Sequence, residues 1–380
     1  MALFFASTQK GLRDALEKEI KDLGIQRVWT KDNEVGVYFE GSWKDCYKVN
    51  LCSRTASRVL MPILDFPAYK NEEYYNNVRK HDFTKYIESN QGIYVDAVVN
   101  NSGQFRDQRF VAMLTKDAIV DQFRDKYGDR PSVINRASLR VHVRMNKNQV
   151  NLAVDTSGYP LFQRGYREEA GDAPLKETLA AGLINMAEWD RKKIIVDPMC
   201  GSGTILIEAA MMFLNMAPGS NRKKFAFQDY KFFDKEDFNE VLNEVLDQEI
   251  EYEEEAPMFY GYDVSNKMIK IAERNASLAG VDHLIHFERR NVVHLEKEFD
   301  EEIMIITNPP YGERLGDVHE LQDVYKDFGH ILKERFSNNT AWILSGSSEL
   351  PKFLKLKASR KMPVYNGNLE CRFLKYEINK

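Results

Sequence analysis

Apolar positions along this chain recur with two different periods, and the pattern changes near residue 165. The opening "LFFAST" reads as a strand ending at Ser7 and Thr8. In "GLRDALEKEIKDLG", Leu12, Leu16, Ile20 and Leu23 share one helical face, and Gly24 closes it. "EVGVYFEG" alternates as a half-buried strand does, and a helix from roughly Trp43 to Ala56 leads into "SRVLMPILDF". A second unit follows: a helix over "NEEYYNNVRKHDFTKYI", the strand "GIYVDAVVN", and a long helix "RFVAMLTKDAIVDQFRDKYG" stopped by Gly128. Then "SLRVHVRMNKNQVNLAVDTSG" predicts two strands around a polar turn. In the first of them Leu139, Val141, Val143 and Met145 point one way, and Arg140, His142 and Arg144 the other.

From about residue 165, continuous apolar runs of strand length alternate with helices: "KKIIVDPM", "PMFYGYDV", "HLIHFERRN", "EIMIITNPP" and "TAWILSGS". Such runs suit strands buried on both faces of a parallel sheet. The chain closes with "RKMPVYNGNLECRFLKYEI", where Asn366-Gly367 signals a hairpin. The expected architecture is therefore α/β. A mostly parallel, seven-stranded sheet with an antiparallel edge hairpin occupies 161–380, preceded by α+β units at 1–60 and 61–160.

Composition changes this picture little. No apolar run is long enough to cross a bilayer, and the N-terminus lacks the basic start and long apolar stretch of a secretion signal. Cys46, Cys52, Cys200 and Cys371 form no CxxC pair and no metal-ligand cluster, so free thiols in a reducing cytoplasm, and no metal, are expected. The net charge of −5 hides an asymmetry: residues 1–165 carry 25 Lys and Arg against 20 Asp and Glu, leaving 28 against 38 for the remainder. A basic front and an acidic back suggest different tasks, although two ordinary solvated surfaces would give the same balance.

Candidate chemistry lies at two strand ends. "IIVDPMCGSGTILIEAAMMFL" is a buried strand, a tight turn and a helix. Gly201 and Gly203, flanked by Cys200 and Thr204, let backbone approach a ligand, and the helix N-terminus behind them offers unpaired N–H groups. A phosphate loop would need Gly-Lys-Ser/Thr, whereas Gly203 is followed by Thr204 and Ile205. A dinucleotide turn would want Gly or Ala where this chain has Leu206. Asp263, ending "FYGYD", can accept from two ribose hydroxyls. Asp197 can hold an ammonium group directly or through water. An amine, a ribose and no phosphate fit S-adenosylmethionine, with Asn291 placed for the adenine edge. Alone, the glycine turn also reads as a plain strand-to-helix connection, and Asn291 as an ordinary strand end.

The second strand end is "TNPPYGERLG". Prolines cannot donate to a sheet ladder, so the strand stops there and its backbone is fixed. Together "VDPMCGSG" and "TNPPYG" resemble the Rossmann-fold, S-adenosylmethionine-dependent amino-methyltransferases. "LFQRGYREEAGDAPLKETLAAGL" narrows the resemblance to bacterial THUMP-domain 23S ribosomal RNA (guanine-N2)-methyltransferases, a family often labelled N6-adenine-specific DNA methylases. Residues 1–60 then resemble its ferredoxin-like start and 61–160 its THUMP RNA-binding domain. Asn291 departs from the aspartate many such enzymes carry.

An exocyclic amine is a poor nucleophile because its lone pair is delocalised into the ring. Two acceptors aimed at its N–H groups would favour a pyramidal nitrogen and stabilise the charge that grows there. Asn308, also a candidate cofactor contact, offers a side-chain carbonyl and Pro309 a backbone one; Pro309 and Pro310 hold them still, Tyr311 stacks on the base, and Gly312 leaves room. The target base must be unpaired or flipped out. The motif does not choose between guanine and adenine; the resemblance implies guanine in 23S RNA. Arg140, His142 and Arg144, extended by Arg106, Arg109, Lys116 and Arg136, are the candidate phosphate contacts. Transfer RNA guanine, DNA adenine N6, or an inactive assembly factor retaining the fold are the competing readings.

Overall fold

A computed structural model describes residues 1–134, 137–167, 175–252, 258–297, 301–311 and 317–379, with side chains omitted at 317–320. Its strands form two sheets.

The front sheet is built from β1 (Ala2–Ser7), β2 (Arg27–Trp29), β3 (Gly36–Gly41), β4 (Arg58–Pro67), β5 (Gly92–Asn100), β6 (Ser132–Val133), β7 (Leu139–Asn146) and β8 (Gln149–Asp155). Their order is β2-β3-β1-β4-β8-β7-β5-β6. Strand β4 pairs with β1 and with β8, so it runs across the expected 60/61 boundary and joins both front units in one sheet. Helices α1 (Arg13–Asp22), α2 (Trp43–Cys52), α3 (Asn71–Val78) and α4 (Gln108–Tyr127) accompany it. Ser42 and Asp45 form a reciprocal cap on α2, and Gly128 closes α4 at φ 72°.

The single helix expected over residues 71–87 is instead α3 and a separate 3₁₀ turn at Phe83–Lys85. The break has partners: Gln122 Nε2 donates to the Arg79 and His81 carbonyls, and Asp82 Oδ1 accepts the Thr84 N–H. Tertiary and side-chain bonds thus replace those a continuous helix would make.

The second sheet contains β9 (Ile194–Asp197), β10 (Phe259–Asp263), β11 (Ile285–Arg289), β12 (Ile303–Thr307), β13 (Asn339–Ser345), β14 (Arg360–Asn366) and β15 (Leu369–Ile378). The order is β11-β10-β9-β12-β13-β15-β14; the first five are parallel, and β15 and β14 form the antiparallel edge. In the hairpin Asn366 pairs with Leu369, so Gly367 rather than Asn366 takes the first central position, at φ 64°. Ile195, Met304 and Ile306 pack into one core, whereas Val196, Ile303 and Ile305 pack into another on the opposite face. That is why these strands read as unbroken apolar runs. Helices α5 (Glu177–Met186), α6 (Thr204–Phe213), α8 (Asn266–Ala279) and α9 (Asp317–Arg335) belong to this half.

The exception is α7 (Lys235–Leu246), which follows α6 in the chain and packs on α2 of the front half. Ala217, Phe227, Tyr230, Phe238, Val241 and Val245 join the front core with Tyr47. Lys44 reaches Asp237 at 3.1 Å and Glu240 at 2.7 Å, and Lys48 reaches Glu244 at 2.8 Å. In return Leu12, from the front half, lies in the core of the second sheet against Gly182. The expected cut at 160/161 therefore marks a change of pattern along the chain, while the cores interpenetrate. Among the described residues no helix is long and apolar enough to cross a membrane.

Candidate active site

The strand order reverses between β9 and β12, which are direct parallel neighbours: Ile194 pairs with Ile303 and Val196 with Ile305. At such a reversal the connections leave in opposite directions and open a crevice at the carboxyl ends of the strands. Asp197 ends β9, Thr307 ends β12 with Asn308 next in the chain, and Asp263 ends β10. The sheet thus brings together the two motifs, 110 residues apart in sequence.

The turn after β9 is held by backbone and carboxylate. The Cys200 N–H donates to the Tyr262 carbonyl at 2.9 Å, and the Gly203 N–H to the Cys200 carbonyl at 2.9 Å. Gly201 and Gly203 sit at φ 54° and 79°, where side chains are strained. A Cβ on Gly203 would come within 2.8 Å of Phe287, whereas one on Gly201 would meet nothing within 4 Å. The turn is therefore closed against the protein on one side and open above Gly201. Asp263 Oδ2 accepts the Gly201 N–H at 3.0 Å and Oδ1 the Ser265 N–H at 2.8 Å. A carboxylate has about four acceptor sites, so capacity for two hydroxyls remains. These residues fit a bound S-adenosylmethionine.

Asp197 is 2% exposed. Its Oδ1 accepts the Thr307 hydroxyl at 2.6 Å and the Met199 N–H at 3.2 Å. Burial, with a smaller contribution from the Asp263 charge, pushes this carboxyl up to about 7 against those two hydrogen bonds. Burial likewise holds the Cys200 thiol well above its ordinary range, which makes it a poor nucleophile.

Thr204, the first residue of α6, accepts from Arg167 Nη2 at 2.7 Å. Arg167 also donates to the Leu175 carbonyl at 2.9 Å and pairs with Glu177 at 3.0 Å. Beside it Tyr166 donates to Glu208 at 3.0 Å, and Arg164 lies 3.5 Å from the same carboxylate. This buried bracket behind the cofactor turn escaped the sequence reading. Its signal was Glu208, a lone charge inside the apolar helix "TILIEAAMMF".

Asn291 lies at the end of β11, where its amide oxygen accepts the Val293 N–H at 3.2 Å and caps a 3₁₀ turn. The acceptor expected to meet adenine thus already has a backbone partner. In the second motif Pro309 is buried and Pro310 exposed. The Tyr311 hydroxyl donates to Asn308 Oδ1, and its ring packs beside Gly346 in the second-sheet core. Tyr311 is therefore turned inward onto the acceptor instead of standing open as a stacking platform. Gly312 lies outside the described residues.

The cations of the front half do not form one strip. Residues Leu139, Val141, Val143 and Met145 point into the core that α4 covers, so Arg140, His142 and Arg144 lie on the opposite side of the sheet from α4. On their own side they meet acids: Arg140 lies 3.6 Å from Asp96, His142 lies 3.2 Å from Asp155, and Arg144 lies 3.8 Å from Glu34. The register explains the pairing, since Asp96 stands opposite His142 on β5. On the α4 side, Arg109 is largely exposed despite its pair with Asp107, Arg106 donates to the Gly103 carbonyl, and Lys116 pairs with Asp117 at 2.5 Å. Arg136 lies outside the described residues.

Comparison with known proteins agrees with this geometry. Residues 164–375 match the RMKL-like methyltransferase domain, 3–60 the RlmL ferredoxin-like domain, and 69–155 the THUMP domain. The chain is 37% identical over 99% of its length to the ribosomal RNA large subunit methyltransferase K/L of Syntrophotalea carbinolica, of which it spans 53%. It thus spans about half the length of such K/L relatives. To slr0064 of Synechocystis, named as a candidate RNA methyltransferase, it is 36% identical, covering 99% of this chain and 96% of that one. The solved structure of SMU.472, a candidate methyltransferase complexed with SAH, superposes with a TM-score of 0.89 at 28% identity, covering 100% and 98% of the two chains.

Proposed function

The chain belongs to the RMKL-like family of methyltransferases, and from that premise we propose that it methylates the exocyclic N2 amine of a guanine in 23S ribosomal RNA, in the cytoplasm. The observation that carries the reading is the adjacency of β9 and β12, which sets the cofactor turn beside Asn308. S-adenosylmethionine, when bound, supplies an activated sulfonium methyl group. Asp263 holds the ribose hydroxyls, Asp197 the ammonium end, and the N-terminus of α6 faces the ligand. The choice of large-subunit ribosomal RNA is supported by the K/L relatives' name, that of guanine in 23S RNA by the motif resemblance, and the cofactor by the SAH complex of SMU.472.

At the acceptor side, Asn308 Oδ1 and the Pro309 carbonyl accept the two N–H groups of the target amine. They stabilise the positive charge that grows on nitrogen, and the paired prolines remove the reorganisation that a flexible loop would require. Tyr311 must first release Asn308; its ring then stacks on the base. The activated methyl donor demands no strong general base. Arg106, Arg109 and Lys116, on the solvent side of the front half, are the residues proposed to meet RNA phosphates.

The test is transfer from labelled S-adenosylmethionine to protein-free 23S RNA from cells lacking the protein, followed by nucleoside mass spectrometry. N2-methylguanine is expected. N6-methyladenine, or transfer to transfer RNA alone, would replace the substrate assignment.

A further inference from the structure

A cavity of about 220 Å³ opens where the front sheet meets the segment following α6; Arg140, Tyr159, Lys224, Phe225, Ala226 and Asp229 line it. We infer that this cavity is a second RNA subsite, which takes one unpaired nucleobase outside the catalytic pocket, stacked on Tyr159 with its N–H edge turned to Asp229. The inference rests on the RNA-methyltransferase reading above.

Tyr159 is a large aromatic that remains 49% exposed, yet its backbone is fixed. Gly158, at φ 82°, donates its N–H to Asp155 Oδ1 at 3.1 Å, and its carbonyl accepts from Arg58. The Tyr159 carbonyl accepts from Arg222 Nη2 at 2.8 Å. A ring carried on an anchored backbone loses little freedom when a base stacks on it. Phe225 and Ala226 are buried and form an apolar floor, packed so closely that a Cβ on Gly158 would stand 3.2 Å from the Ala226 nitrogen.

The rim is polar. Asp229 accepts from Lys224 at 2.5 Å and keeps further acceptor capacity. Lys224 is more than half exposed and can follow an adjacent phosphate. Arg140 already lies over the Tyr94 ring and beside Asp96, so it lends the cavity positive potential rather than a new bond.

The volume falls below the ~300–1,000 Å³ of sites for drug-sized ligands, which suits a base better than a whole cofactor. Single-stranded RNA is read in this way, by aromatic stacking and hydrogen bonds to base edges. Guanine, whose N1–H and N2–H point in the same direction, matches one carboxylate best. The lining comes from β7, from the loop after β8 and from the segment after α6. Phe225 and Ala226 belong to the front core, so a base seated there is held by the front half of the chain.

The test uses the full chain and a short guanine-containing single-stranded RNA. Tyr159→Ala should weaken binding about tenfold and raise the KM for RNA, with kcat and S-adenosylmethionine affinity unchanged. Tyr159→Phe should retain wild-type binding, and Asp229→Asn should erase a preference for guanine over uracil. Unchanged RNA affinity in Tyr159→Ala, with methyl transfer intact, overturns the subsite and leaves the proposed function standing. Absence of RNA binding and transfer in the wild-type chain overturns both. Should Tyr159→Ala fail to fold, photo-crosslinking of a thioguanosine-containing RNA to the wild-type chain decides: adducts on Tyr159 or its cavity neighbours support the subsite, and adducts only elsewhere overturn it.

Discussion

The Thr307 hydroxyl donates to Asp197 Oδ1 at 2.6 Å, tying the end of β12 to the end of β9. One bond thus couples the strand that carries the methyl-acceptor motif to the strand that carries the cofactor turn. Thr307→Val keeps the shape and removes the donor from a buried carboxylate, which should cost about 1–3 kcal/mol of stability. It should also move the Asp197 ionisation further up. Chemical denaturation and the pH dependence of cofactor binding measure the two effects.

Burial raises the Asp197 carboxyl to about 7 from an ordinary 3.8. Between those values the folded chain keeps a proton that the unfolded chain has released, so this group's contribution to stability declines as pH rises through the window and is level above it. Cofactor affinity should run the opposite way, increasing as Asp197 ionises to meet the ammonium group. Calorimetric titration of S-adenosylmethionine across this range should show a midpoint near 7, and Asp197→Asn should flatten the profile. A pH-independent wild-type affinity would remove Asp197 from that role.

Asn308→Ala should lower the rate of transfer by about 10²–10³-fold, the usual cost of losing one preorganised charge-stabilising group. Cofactor affinity should stay near the wild-type value, because the cofactor turn does not use this side chain. Single-turnover transfer and calorimetry separate the two quantities. A variant that transfers normally yet binds cofactor poorly would reassign the residue.

Tyr311 occupies the Asn308 acceptor through its hydroxyl, and its ring is the proposed platform for the base. Tyr311→Phe deletes the competing donor while keeping the ring, so transfer should match or exceed wild type. Tyr311→Ala should raise the KM for RNA by about tenfold, the worth of one stacked base. Steady-state kinetics with an RNA fragment distinguish them; equal losses in both variants would mean that the hydroxyl itself takes part.

The segment 217–246 buries Phe227, Phe238, Val241 and Val245 in the front core. A fragment beginning at residue 161 would expose all four, so it should aggregate or lack a cooperative thermal transition. Removing the front half is expected to damage the catalytic half through that segment, independently of any RNA contact. Circular dichroism and size-exclusion chromatography of the fragment provide the check.

Much of this protein is determined locally and is legible in the chain. Unbroken apolar runs mark the strands of the second sheet because both faces are buried. Glycines at 201 and 203 mark the turn because few other residues tolerate its dihedral angles, and the prolines at 309 and 310 mark the end of β12 because they cannot donate to a ladder. Long-range packing decided the rest. The positive face of β7 was legible as a pattern, but its neutralisation by Asp96, Asp155 and Glu34 depends on which strands lie beside it. The same holds for α7 on α2, for the Arg167 bracket behind Thr204, and for Tyr311 turned onto Asn308. Periodicity reports which side of an element is buried. It carries no record of the partner that buries it, because that partner is chosen by contacts between residues tens to hundreds of positions apart.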